Sequence, residues 1–88
     1  MKKCITFTSR TKVHNEIRYK NYLLAPIDNK FYLYELNSKT GKIAKPYLVE
    51  FDEFETLFEC FNYIRDYYRV VNHRIVITNK DDILEDFV

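Results

Sequence analysis

Residues 52–71 read DEFETLFECFNYIRDYYRVV. Phe54, Leu57, Phe58, Phe61, Ile64 and Tyr68 recur at three- and four-residue spacings, which stack side chains on one face of an α-helix. No other stretch keeps this period for as long. Asp52 stands where an N-cap belongs, and Glu55 follows three residues on. Together they read as an Asp form of the capping box, whose side-chain oxygens accept from backbone N–H groups left free by the first turn. Asp52, Glu53, Glu55 and Glu59 crowd the positive end of the helix dipole. Arg69 falls in the last turn, and Asn72 suits a C-terminal stop. The pattern predicts one long amphipathic helix that starts at Asp52.

The segments before it have the signals of strands. Residues 3–8 (KCITFT) place Ile5 and Phe7 on one face. Residues 9–15 (SRTKVHN) read as a polar loop. Residues 16–25 (EIRYKNYLLA) read as a strand whose alternation breaks at Asn21, which a bulge or a tight turn at Lys20-Asn21 would explain. Asp28-Asn29 make a turn. Residues 31–36 (FYLYEL) and 43–51 (IAKPYLVEF) form a hairpin through NSKTGK, with Gly41 supplying a left-handed residue. A four-residue loop would set Tyr34 opposite Lys45, whereas a three-residue loop would set Glu35 there. Pro46 cannot donate to a ladder, so its strand is an edge or is bulged. After the helix, residues 73–78 (HRIVIT) read as a last strand. Asn79 and Asp82 then open either a short helix carrying Ile83, Leu84 and Phe87 or a frayed tail.

The order β-β-β-β-α-β predicts an α+β fold: an antiparallel sheet of about five strands packed on one long amphipathic helix, with residues 1–88 as a single domain. Residues 31–34 and 47–51 are apolar on both faces of their strands. Such a sheet needs cover on both sides. The helix covers one; the other falls to the C-terminal segment, a second copy of the chain (a homodimer) or a partner.

The chain has 88 residues, of which 47% are hydrophobic and 17% aromatic, with one Gly and two Pro. That leaves no room for long flexible linkers. No run of about 18 apolar residues offers a membrane span, and the N-terminus lacks the apolar stretch of a signal peptide. The expectation is a cytoplasmic protein with Cys4 and Cys60 reduced. His14, His73, Cys4 and Cys60 are not at the short spacings of zinc sites, so no metal is expected, and no motif points to another cofactor. A Cys60–His73 dyad lacks a third group to orient the imidazole. A single glycine cannot build a Gly-rich phosphate loop. Glu55 and Glu59 belong to an ordinary solvated stripe. The chain is therefore expected to be non-enzymatic.

Charge is its least ordinary property. Residues 1–46 carry ten Lys/Arg and three Asp/Glu, a net of +7, and residues 47–88 carry four and ten, a net of −6. Either the halves neutralise each other internally, or the surface has two poles. On the basic half Arg18, Lys20 and Lys45 lie among Tyr19, Tyr32, Tyr34 and Tyr47, which would suit a nucleic-acid platform. On the helix, Glu55, Glu59 and Asp66 border Tyr63 and Tyr67, which would suit a protein interface. In type and size the chain resembles small accessory products of phages and mobile elements, anti-CRISPR proteins among them. That is an analogy of class and size, with no motif matching a family. Many such products bind and block a host protein, and the acidic helix face and C-terminus lead to the expectation of a binding protein that acts on a basic surface of a nucleic-acid-handling partner. A small nucleic-acid-binding domain is the alternative.

Overall fold

In the computed structural model, which describes residues 2–88, five strands form one antiparallel sheet. The elements are β1 (Lys2–Val13), β2 (Glu16–Ile27), β3 (Lys30–Leu36), β4 (Val49–Phe51), α1 (Leu57–Ile64) and β5 (Val70–Thr78), followed by a 3-10 turn at Glu85–Phe87. The strands lie in the order β4-β3-β2-β1-β5. The α+β architecture matches the sequence pattern. The helix does not: it has eight residues.

Two tight turns set the register of the first three strands. His14-Asn15 joins β1 to β2 and Asp28-Asn29 joins β2 to β3, with φ of 50° and 65° in the first and 51° and 65° in the second. Two consecutive left-handed residues make the turn whose twist suits a hairpin. His, Asn and Asp tolerate that conformation better than branched residues do. So residues 9–15 are not a loop. β1 runs through them, and Val13 pairs with Glu16. Nor does β2 bulge at Lys20-Asn21, since its pairing with β1 is continuous from Glu16 to Leu24. Alternation is lost there because Tyr22, Leu23, Leu24 and Ala25 are all buried. A central strand covered on both faces has no reason to alternate. The bulge lies between Thr8 and Ser9, where β1 meets β5.

The β3–β4 hairpin keeps the first of its two expected registers near the loop. Leu36 bridges Ile43, and Asn37 N–H donates to Lys42 at 2.7 Å. Gly41 supplies the left-handed residue at φ 72°. Beyond Ala44 the chain leaves the ladder around Pro46, and regular pairing resumes only with Leu33 opposite Val49. The fourth strand is thus three residues long.

Each face of the sheet has its own core. On one, Ile5, Phe7, Tyr22, Leu24, Phe31 and Leu33 meet Cys60, Phe61 and Ile64 of α1. On the other, Cys4, Leu23, Ala25, Tyr34 and Leu36 meet Ile83, with Leu84 and Phe87 packed beside it. The C-terminal segment therefore covers the second face. Phe87 C=O accepts from Ile43 N–H at 2.7 Å, and Lys80 pairs with Asp86.

The N-cap of α1 is Thr56, not Asp52. Its Oγ1 accepts from Glu59 N–H at 3.1 Å. The buried stripe is Leu57, Cys60, Phe61 and Ile64, while Phe58, expected inside, is 42% exposed. The small Cys60 lets the helix approach the sheet where a larger side chain would hold it off. Thr56→Ala should cost about 1 kcal/mol, the usual loss for a cap, whereas Asp52→Ala should cost almost nothing. Urea denaturation of the two variants decides between the two starts. A larger loss for Asp52→Ala would put the cap back at residue 52.

Candidate binding surfaces

The acidic patch of the helix forms largely as its sequence suggests, though not on one continuous helix. Glu55 precedes the N-cap, Glu59 and Tyr63 lie within α1, and Asp66 and Tyr67 follow its C-cap, Arg65. The turn after α1 keeps helix-like geometry for a few residues, since Tyr68 N–H donates to Ile64 C=O at 3.0 Å. Glu59, Tyr63 and Tyr67, four apart, therefore follow one stripe. Tyr63 is 67% exposed and leans on Phe54, ring centroids 5.0 Å apart. Tyr67 is 82% exposed and meets Tyr68 at 5.1 Å. Glu55, Glu59 and Asp66 are all exposed, and none takes part in a salt bridge among the described residues.

The basic trio fares differently. Arg18 and Lys20 share one face of β2, in the part of the strand that projects past its neighbours. Lys45 lies in the irregular segment after Ile43 and pairs with Glu35 at 3.6 Å, so it is not a free cation. The expected row of tyrosines is mostly taken up by packing. Tyr34 is buried. Tyr32 donates its hydroxyl to Glu50 at 2.8 Å and meets the half-exposed Tyr47 edge to face, centroids 4.9 Å apart. Of the four, Tyr19 is the one that stands clear of the body.

Among the described residues four ion pairs form: Arg18–Glu16, Lys30–Glu50, Lys45–Glu35 and Lys80–Asp86. Only Lys30–Glu50 joins the basic half of the sequence to the acidic half. Glu50 accepts from both Tyr32 and Lys30, and these hydrogen bonds hold its carboxyl below the usual range. The halves do not cancel by pairing, so the surface keeps two poles.

Cys4 and Cys60 are buried in different cores on opposite faces of the sheet, and both are free thiols. Burial pushes Cys4 up to about 11 and Cys60 up to about 12. Neither thiol is a ready nucleophile at neutral pH. His73 packs its ring on Phe61 at 4.9 Å, and His14 sits in the distant β1–β2 turn. Among the described residues no three His, Cys, Asp or Glu side chains gather as a metal site, and no helix is long and apolar enough to cross a membrane. A concavity of about 570 Å³ opens on the second face beside Phe87. Thr6, Thr8, Asn21 and Asn72 line it, with His73 and Arg74 as its titratable groups.

The sequence reading missed the end of the β1–β2 hairpin, which extends beyond the pairing with β5 and β3. Comparison with family models, with curated proteins and with solved structures found no match to the chain. What its surfaces do must be argued from their residues.

Proposed function

We propose that the protein is a non-enzymatic binding protein whose acidic, tyrosine-bearing helix face docks on a basic surface of a protein partner, such as the cleft of a nucleic-acid-handling protein. The observation that carries this reading is the patch itself. Two tyrosines expose most of their surface beside the exposed carboxylates Glu55, Glu59 and Asp66, none of which is in a salt bridge among the described residues. Tyrosine supplies large contact area at low entropic cost. Unpaired carboxylates steer a basic surface towards it and define the orientation of docking. Carboxylates spaced along a ridge also offer a basic cleft the charge that phosphates would.

The test is capture from an extract of the source cells, followed by kinetics with the purified partner. Glu55→Lys, Glu59→Lys and Asp66→Lys together should slow association about tenfold at low salt. Tyr63→Ala with Tyr67→Ala should accelerate dissociation by about 30-fold or more, as loss of an interface hot spot does. A partner captured equally well by both variants would show that the contact lies elsewhere.

A further inference from the structure

We propose that the projecting end of the β1–β2 hairpin is a second binding element, a ribbon that lies in the major groove of duplex DNA. β5 pairs with β1 only as far as Ser9, and β3 pairs with β2 only as far as Asn21. Beyond these positions residues 10–20 form a two-stranded ribbon paired with no third strand, its edges free except where Arg10 N–H donates to Arg69 C=O at its base. Arg10 faces Tyr19, Thr11 faces Arg18, Lys12 faces Ile17 and Val13 faces Glu16, and His14-Asn15 closes the end. Four residue pairs give a length of about 14 Å, and the two strands lie about 5 Å apart. A B-form major groove, about 12 Å wide, admits a ribbon of this kind.

The distribution of charge suits that seat. Successive residues of a strand point to opposite faces. Arg10 and Lys12 therefore lie on the face shared with the C-terminal segment, and Arg18 and Lys20 on the face shared with the helix. A groove has a phosphate wall on either side, and a ribbon lying in it meets both. A single-stranded chain would instead call for cations and several aromatics on one face, and here Tyr19 is the lone aromatic. Glu16 is the one acid in residues 10–20, which carry a net charge of +3 with His14 neutral. Arg18 reaches Glu16 at 3.4 Å, both side chains being well exposed, and such a surface pair gives little hold on the arginine.

Apolar residues point the same way. Val13, Ile17 and Tyr19 stand exposed on this arm, Tyr19 at 60%. They contribute nothing to either core. Val13 shares the face of Arg18, and Ile17 and Tyr19 share that of Arg10 and Lys12, so in a groove they would pack against the sugar-phosphate walls beside those cations. At the base of the arm, Arg10 N–H donates to Arg69 C=O at 3.1 Å, and Lys39 lines a cleft with Tyr19 and Lys20. Lys39 thus places one more cation where the ribbon leaves the body.

Fluorescence anisotropy with a labelled DNA duplex of about two helical turns tests the proposal, alongside single-stranded DNA and double-stranded RNA of the same sequence. The duplex DNA should bind most tightly, because the deep, narrow major groove of A-form RNA excludes the ribbon. Neutralising three or four phosphates should make affinity fall about 40- to 150-fold between about 0.05 and 0.2 M salt. Arg10→Gln, Lys12→Gln, Arg18→Gln and Lys20→Gln together should abolish binding, and each alone should lower the slope of log affinity on log salt by about one. All four positions are outside both cores, and far-UV circular dichroism checks that the fold is kept. The Tyr63→Ala/Tyr67→Ala variant should bind DNA as the parent does, which separates this site from the helix patch. The proposal is overturned by absent duplex binding at the lower salt, by tighter binding of either other nucleic acid, by binding that survives in the fourfold variant, or by binding lost with the tyrosines.

Discussion

Phe61→Ala should cost about 3–5 kcal/mol, the range for deleting a buried phenyl ring from a core. Phe61 is 1% exposed and touches Phe7 at 5.7 Å and His73 at 4.9 Å between ring centroids. The Arg65 guanidinium lies over its outer face, 5.5 Å from the centroid. This one side chain ties α1 to β1 and β5 together. An eight-residue helix has almost no stability of its own in water, so its place depends on such anchors. Domains of this size have about 5–15 kcal/mol in total, and each kcal/mol moves Tm by about 4–8 °C. The variant should therefore melt at least about 12 °C below the parent, or fail to fold. Phe58→Ala is the control. It removes the same ring three residues earlier from a half-exposed position, and should cost about 1 kcal/mol or less. Equal losses in the two variants would mean that the helix presents a different face to the sheet.

That contrast shows where the sequence was readable and where it was not. The sequence of elements β-β-β-β-α-β and the hairpin at Gly41 came from local chemistry: alternation, turn residues and a glycine in the left-handed region; how the strands lie side by side, β4-β3-β2-β1-β5, did not. The extent of the helix did not, because its limits depend on contacts distant in sequence. Phe54 keeps the helical period but is held outside the helix by Phe51 and Tyr63, at 6.0 and 5.0 Å. The true cap was visible as Thr56 with Glu59 three residues on, but Asp52 competed with it from a position ahead of Phe54. At the other end Arg69 turns left-handed, at φ 50°, to feed β5. Regular alternation is a signature of one buried face. The outer ribbon buries neither face, so its sequence has the polar composition of a loop although its backbone is paired. The exposure of Tyr63 and Tyr67 was legible because the helical arc sets it locally. The grouping of Arg18, Lys20 and Lys45 was not, because it required knowing that Lys45 would meet Glu35.

The two proposed surfaces follow from the same asymmetry. Among the described residues three of four ion pairs form inside one half of the sequence or the other, so folding leaves the helix carboxylates without a cation and, of the ribbon cations, pairs Arg18 alone, with Glu16. Charged groups in water cost little by themselves, so this arrangement is tolerated by the fold without being needed for it. Its consequence is a chain that can steer partners of opposite sign to different places.

Stability should decline steeply in alkali, starting near pH 9, and the thiols are the reason. Cys4 and Cys60 are 1% and 0% exposed, and burial, the larger cause for each, disfavours their thiolates. Their ordinary value is 9.0, against about 11 and about 12 in the fold. The sign follows from proton counting. Between pH 9 and these values the unfolded chain releases protons that the native chain keeps, so the unfolded state is the one favoured by raising pH. The stabilisation from holding the thiols neutral is complete below pH 9 and lost progressively above it. At about pH 10 each thiol should remove on the order of 1 kcal/mol from the total. Tyr22, Tyr34 and Tyr68 are also raised, chiefly by burial, and they add to the loss at higher pH. The ordinary tyrosine value is 10.0, so the cysteines dominate the first part of the decline, between about pH 9 and 9.5, and the tyrosines join them towards pH 10. Urea denaturation across that window should show a falling midpoint for the parent and a much flatter one for Cys4→Ala/Cys60→Ala, whose starting stability is lower because of the small cavities left. Thiol reagents should meanwhile label the parent only as fast as it opens. A midpoint that does not move between about pH 8 and 10, or an equal slope in the alanine variant, would show that the buried thiols do not control alkaline unfolding.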